Sequence, residues 1–182
     1  VSDSRGSTDA RDPVAGLARL HAEIDGQVAR LEARHAERLA CRIGCHDCCV
    51  DGISVFEVEA EHIRRHHEGL LEAGRPHPEG ACAFLDEQGA CRIYEHRPYV
   101  CRTQGLPLRW IDREDAGEPV ELRDICPLND RRAEPLESIP AADCWSIGPH
   151  ESRLVSLQLE LGGRPPRRTR LRDLFRTEAT TG

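Results

Sequence analysis

Apolar residues in the first part of the chain recur at intervals of three and four: Leu17, Leu20, Ile24, Val28 and Leu31, with Leu39 beyond them. That spacing lays a single stripe along a helix. Asp12 followed by Pro13 supplies the start, an acceptor for the first free amides and a residue whose missing N–H costs nothing there. The predicted helix runs to about Ala40 and delivers the chain to Cys41; Gly26 weakens its middle without ending it. Ile53–Phe56 reads as a short strand. Glu57–Gly74 reads as a second helix, with acids early, bases later and a glycine stop. A Ser or Thr is expected as its cap, where the chain has Phe56.

Two apolar runs around Gln88-Gly89 predict a hairpin over 81–94, and the turn DREDAGE predicts a second over 106–125. Residues 95–102 predict a helical turn starting near Pro98. Pro149 opens a further helix carrying Leu154, Leu157 and Leu161, closed by Gly162 and Gly163. A last short helix holds Leu171, Leu174 and Phe175. Residues 1–11, rich in Ser, Asp and Gly, are expected to be disordered. The pattern gives one domain over 12–161, with a basic tail carrying a short helix over 162–182. The expected class is α+β: a small, irregular, metal-stabilised domain with two hairpins packed by helices.

The metal enters through the cysteines. There are nine, an odd count, and four of them crowd into CRIGCHDCC: Cys41, Cys45, Cys48 and Cys49. Scattered core thiols do not account for four in nine residues. Thiolates are soft anionic ligands suited to zinc and to iron–sulfur clusters, and Gly44 allows the bend that turns several sulfurs to one centre. His46 is a possible nitrogen ligand. The second group is Cys82, Cys91 and Cys101, and Cys126 returns a further sulfur after the second hairpin. If the first hairpin is regular, Cys91 pairs near Asp86 and Cys82 lies roughly 13 Å further along, at about 3.3 Å per residue. That separation favours two sites. Cys144, beside Trp145, is expected to pack as a small apolar residue, and Tyr94 to be core.

Composition narrows the setting. Only 38% of the 182 residues are apolar and 4% aromatic, so the core is lean and a metal would help it. All 25 basic residues are Arg and there is no Met, a bias that suggests a GC-rich genome, and Val1, read as an alternative start codon, suggests a bacterial one. No run approaches the roughly 20 apolar residues of a membrane span, and no signal-peptide pattern opens the sequence. A cytoplasmic, reducing location is the expectation. With a net charge of −7, and RPPRRTRLR as the one basic stretch, read as a solvated connector, no nucleic-acid partner is expected.

Taken together, CRIGCHDCC, CAFLDEQGACRIYEHRPYVCR and Cys126 resemble the YkgJ-type cysteine-cluster proteins, described as zinc- or iron-chelating. The flanking residues Phe84-Leu85, Ile93-Tyr94, Arg97-Pro98 and Arg102 match along with the spacing. The resemblance covers Cys41 to Cys126. It implies metal ligation by Cys41, Cys45, Cys48, Cys49, Cys82, Cys91, Cys101 and Cys126, and no reaction. A flagellin lysine methylase branch with a similar motif is associated with an iron–sulfur cluster. The dense thiolate group itself tips the expected ligand narrowly toward an iron–sulfur cluster or iron, with zinc as the alternative. An iron–sulfur-dependent methyltransferase-like enzyme and a thiol redox sensor are the competing functions. Cys41, Cys45 and Cys48 also fit the C-x3-C-x2-C spacing of radical SAM enzymes, but they follow a helix, with no βα repeat behind them. Asp47, His46, Arg97 and Arg102 are the acid–base candidates an enzyme would need, although the two arginines equally suit the neutralising of thiolate charge.

Overall fold

The computed structural model describes residues 12–42, 44–112, 118–130, 134–162 and 165–175. The expectation of disorder over 1–11 falls outside them, as do the tip of the second hairpin and Gly163.

The first helix, α1 (Pro13–Arg34), starts as its sequence predicts, with Asp12 Oδ1 accepting from the Val14 amide at 3.0 Å. It buries Val14, Leu17, Leu20, Ile24 and Val28. Each such aliphatic side chain stabilises the fold by about 1.5–3 kcal/mol relative to exposure. The helix ends six residues before the expected Ala40. At His35 the backbone leaves helical values, and its ring is drawn to the Asp143 carbonyl at 2.6 Å. The chain then continues in turns to Cys41.

The short strand β1 (Ser54–Phe56) leads directly into α2 (Glu57–Ala73). Phe56 caps α2 without a side-chain acceptor. Instead Glu59, buried in the first turn, accepts from the Phe56 amide at 3.1 Å and from the Tyr99 amide at 2.8 Å, tying α2 to α3 (Tyr99–Arg102). Strands β2 (Leu108–Asp112) and β3 (Val120–Asp124) form the predicted second hairpin, with Leu108 opposite Asp124. Among the described residues, α4 (Pro127–Asp130), β4 (Trp145–Ser146), β5 (Arg168–Arg170) and two 3-10 turns, Leu136–Ser138 and Ala141–Asp143, were not anticipated. β4 lies parallel to β2, and α5 (Pro149–Leu161) follows it. β5 pairs antiparallel with β1, Val55 opposite Thr169. Part of the stretch read as a solvated connector is therefore a strand. Behind it a 3-10 turn, Leu171–Leu174, replaces the expected short helix.

The result is an α+β domain with two cores. One joins α1 to α5 through Leu17, Leu20, Ile24, Leu106, Trp145 and Leu154. The other gathers Val55, Ile63, Phe84, Ile93, Leu171 and Phe175, and it includes Cys82, with Cys49 and Cys91 packed at its margin. Cys49, Cys82 and Cys91 thus sit against a hydrophobic wall rather than on a free loop.

Candidate metal centre

The first cysteine run is a chain of tight turns. The Cys45 amide donates to the Arg42 carbonyl at 2.9 Å and the Cys49 amide to the His46 carbonyl at 2.8 Å, while Gly44 takes a φ of +83°. Cys41 is held from outside the run. Asn129 on α4 is fully buried; its Oδ1 accepts from the Ala40 amide at 2.7 Å, and its Nδ2 donates to the Gly105 carbonyl at 2.7 Å and to Cys41 Sγ at 3.6 Å. Gly105 has a φ of +93°, and a Cβ there would lie 2.5 Å from Cys41 Sγ. The sulfur therefore rests in a cradle of backbone and amide that only glycine leaves open.

The second group departs from the expected hairpin. Only one bridge survives, Leu85 with Cys91, one residue from the expected register. The reason is local: the Leu85 amide donates to the Cys82 carbonyl at 3.1 Å, so the chain curls before a strand can form. The separation of roughly 13 Å, which assumed about 3.3 Å per extended residue, therefore does not apply. Cys82 and Cys91 are close enough for the Cys82 charge to push up the Cys91 thiol. Each of these sulfurs also accepts an N–H two residues on, from Phe84 and Ile93 respectively. Amides aimed at sulfur favour the thiolate, the form that binds metal.

Electrostatic neighbours sort the eight thiols. Burial raises Cys41, Asn129 opposes that, and the charges of Cys45, Cys126 and Cys48 push it further up. Burial also pushes Cys101 up to about 12, helped by Cys82, Cys91, Glu59 and Cys48. Cys49 is raised by its hydrogen bond to Cys48, by burial and by the charges of Cys48, Cys82 and Cys101. One set is thus Cys41, Cys45 and Cys126, the other Cys49, Cys82, Cys91 and Cys101, with Cys48 between them. Cys48 is lowered to about 6, chiefly because the neighbouring Cys49 thiol donates to it. A cation would relieve the mutual repulsion in either set. Among the described residues, however, no three sulfurs come within 4.8 Å of one another.

Cys144 stands apart. It is buried, and its charged neighbours are Arg123, Glu121, Arg109 and Asp143 rather than thiols. His46 is exposed, its Nδ1 3.0 Å from the Gly44 carbonyl. Tyr94 is not core: it is 58% exposed, with the Arg97 guanidinium 4.0 Å over its ring. Burial raises the Cys91 thiol, and the Arg97 charge only partly offsets that. Arg102 faces elsewhere, bonding Asp25 at 2.5 Å and the carbonyls of Arg97 and Glu95, each at 2.9 Å. Sequence reasoning missed Asn129 and Gly105; the only signal for them was their nearness to Cys126 and Cys101.

The comparison with known families turns on this same span. A family model named CxxCxxCC, described as a "Putative zinc- or iron-chelating domain", matches residues 40–127. This span, just under half of the chain, is similar to the CxxCxxCC family. Its limits run from the residue before Cys41 to the residue after Cys126, so they enclose all eight grouped cysteines and omit Cys144. A metal-chelating role follows for the CxxCxxCC domain, with a metal ion as its partner. No curated protein and no solved structure matches the chain. Among the described residues, no helix is long and apolar enough to cross a membrane.

Proposed function

We propose that the CxxCxxCC domain holds iron through its eight thiolates, as iron–sulfur clusters at two neighbouring centres. The inner centre uses Cys49, Cys82, Cys91 and Cys101; the outer one uses Cys41, Cys45, Cys126 and Cys48. The donor set fits, being four soft anions to each centre, with amide N–H groups from Phe84, Ile93 and Asn129 to offset their charge.

The observation that carries this reading is the division of the thiols into two open sets. Four thiolates on one zinc ion, with Zn–S bonds of about 2.3 Å, hold their sulfurs about 3.8 Å apart. A multinuclear cluster holds its cysteine ligands further apart than a single zinc ion does, and two neighbouring groups of four thiols suit that arrangement. Zinc is the alternative ion, and a contraction of either set would admit it. All nine cysteines are free, which suits a reducing compartment such as the cytoplasm.

The test is the content of iron, zinc and acid-labile sulfide per chain in protein purified without air. Iron with matching sulfide is the expected result. Zinc without sulfide overturns the cluster and leaves the zinc reading. Well-folded, reduced protein without metal overturns both.

A further inference from the structure

Away from the cysteines, α2 carries His62 and His66, one turn apart and hence on one face. The 3-10 turn Tyr94–His96 brings His96 against them. Ring centroids are 4.4 Å apart for His62 and His66, 5.3 Å for His62 and His96, and 4.0 Å for His66 and His96. One ring nitrogen from each of the three lies within 4.8 Å of the others.

Two features mark the trio as more than packed imidazoles. His66 Nδ1 lies 2.8 Å from the His62 carbonyl, and a carbonyl only accepts. Nδ1 therefore carries the proton, leaving the Nε2 lone pair free. His96 Nδ1 meets His67 Nε2 at 3.1 Å. α2 leaves helical values at His67 (φ −133°, ψ 29°), and adjacent His66 and His67 both contact the His96 ring. Metal-ligating histidines are held in this way through their second nitrogen. In addition, His62 Nδ1 is buried with no hydrogen-bond partner, an unmet demand that costs free energy.

We propose that His62, His66 and His96 form a second metal site, separate from the thiolates, for one divalent transition ion such as zinc. Three neutral imidazoles and no carboxylate select zinc, copper or nickel over magnesium and calcium. Three protein ligands also leave one coordination position open. His67 is a positioning residue, acting through His96. The Arg102 charge beside the trio opposes a cation, but Asp25 and two carbonyls already occupy that guanidinium. His66 and His96 are stacked at 22°, so both cannot aim in-plane lone pairs at one ion as they stand. Binding one ion therefore requires the exposed His66 ring to turn out of the stack.

The test uses the full chain with its thiol-bound metal in place and counted beforehand. Equilibrium dialysis against zinc should add one ion per chain. His66→Gln and His96→Gln should each weaken that uptake by more than about 100-fold, and His67→Ala by about 10- to 100-fold. Cobalt at the added site should show visible bands without thiolate charge transfer. In the unsubstituted protein, zinc should shift the ring resonances of His66 and His96. No added ion, uptake unchanged in the folded His66 variant, unmoved His66 and His96 resonances, or a thiolate band from the added cobalt would each overturn the site.

Discussion

The Cys82 amide donates to the Cys49 carbonyl at 2.8 Å, which fastens the second cysteine group to the end of the first. A thiol lost from either side of that junction should disturb a shared centre. Cys101→Ser and Cys45→Ser are expected to lose metal and to unfold at lower temperature. Cys144→Ser, away from the other thiols, should keep the full metal content. Metal analysis beside thermal melts of the three variants checks this; equal metal in all three would remove the proposed ligand set.

Gly105 is a second pressure point. Its φ of +93° disfavours any side chain, and a methyl group would collide with Cys41 Sγ. Gly105→Ala is expected to cost about 1–3 kcal/mol and to loosen the outer centre more than the inner one. Denaturant midpoints report the first effect. The reactivity of Cys41 toward a thiol reagent reports the second. An unchanged midpoint would mean that the cradle yields freely.

Arg172 binds Asp51 at 2.8 and 3.1 Å and also donates to the carbonyls of His77, Pro78 and Ala81. It thereby anchors the loop before Cys82 and the turn after Cys49 to the end of the described chain. Arg172→Ala should speed hydrogen exchange in residues 77–82, and Arg172→Lys should restore little, because an ammonium lacks the planar fork. Exchange unchanged in both variants would show that the second core alone holds this loop.

His150 stacks on Trp145 at 4.9 Å, and burial lowers its pKa below the ordinary histidine value of about 6.5. Between those two values the unfolded chain binds more protons than the folded one, so stability rises with pH. This contribution is complete above about pH 6.5 and is lost as pH falls through 6.5 toward the depressed value. Urea midpoints followed by Trp145 fluorescence should drop between pH 7.5 and 5.5, and less steeply in His150→Gln. Parallel slopes would assign the acid sensitivity to other groups.

Elements with a strong local signal were readable in the sequence. The stripe of α1, the Gly74 stop of α2, the Pro149 start of α5 and the second hairpin each depend on neighbours in the chain. β4 and β5 have two and three residues, too few to show a period, and they exist only because β2 and β1 lie beside them. The first hairpin is shortened to the bridge of Leu85 with Cys91, because a turn at Cys82, invisible to hydrophobic alternation, replaces the start of its first strand. At the site, the cysteines declared themselves by crowding. Asn129 did not, since a single amide after Cys126-Pro127 has no pattern until the fold brings Cys41 to it. His62 and His66 show helical spacing, but His96 joins them only through tertiary structure.

The pairing of β1 with β5 also bears on biosynthesis. The strand that leaves the first cysteine run finds its partner only at Arg168–Arg170, and Arg172 follows. On a ribosome adding about 5–20 residues per second, Cys41 precedes that partner by on the order of ten seconds. Throughout that interval the nascent thiols are without their C-terminal brace, exposed to stray metal and oxidant. The β1–β5 pairing therefore forms only after the whole cysteine span has been synthesised.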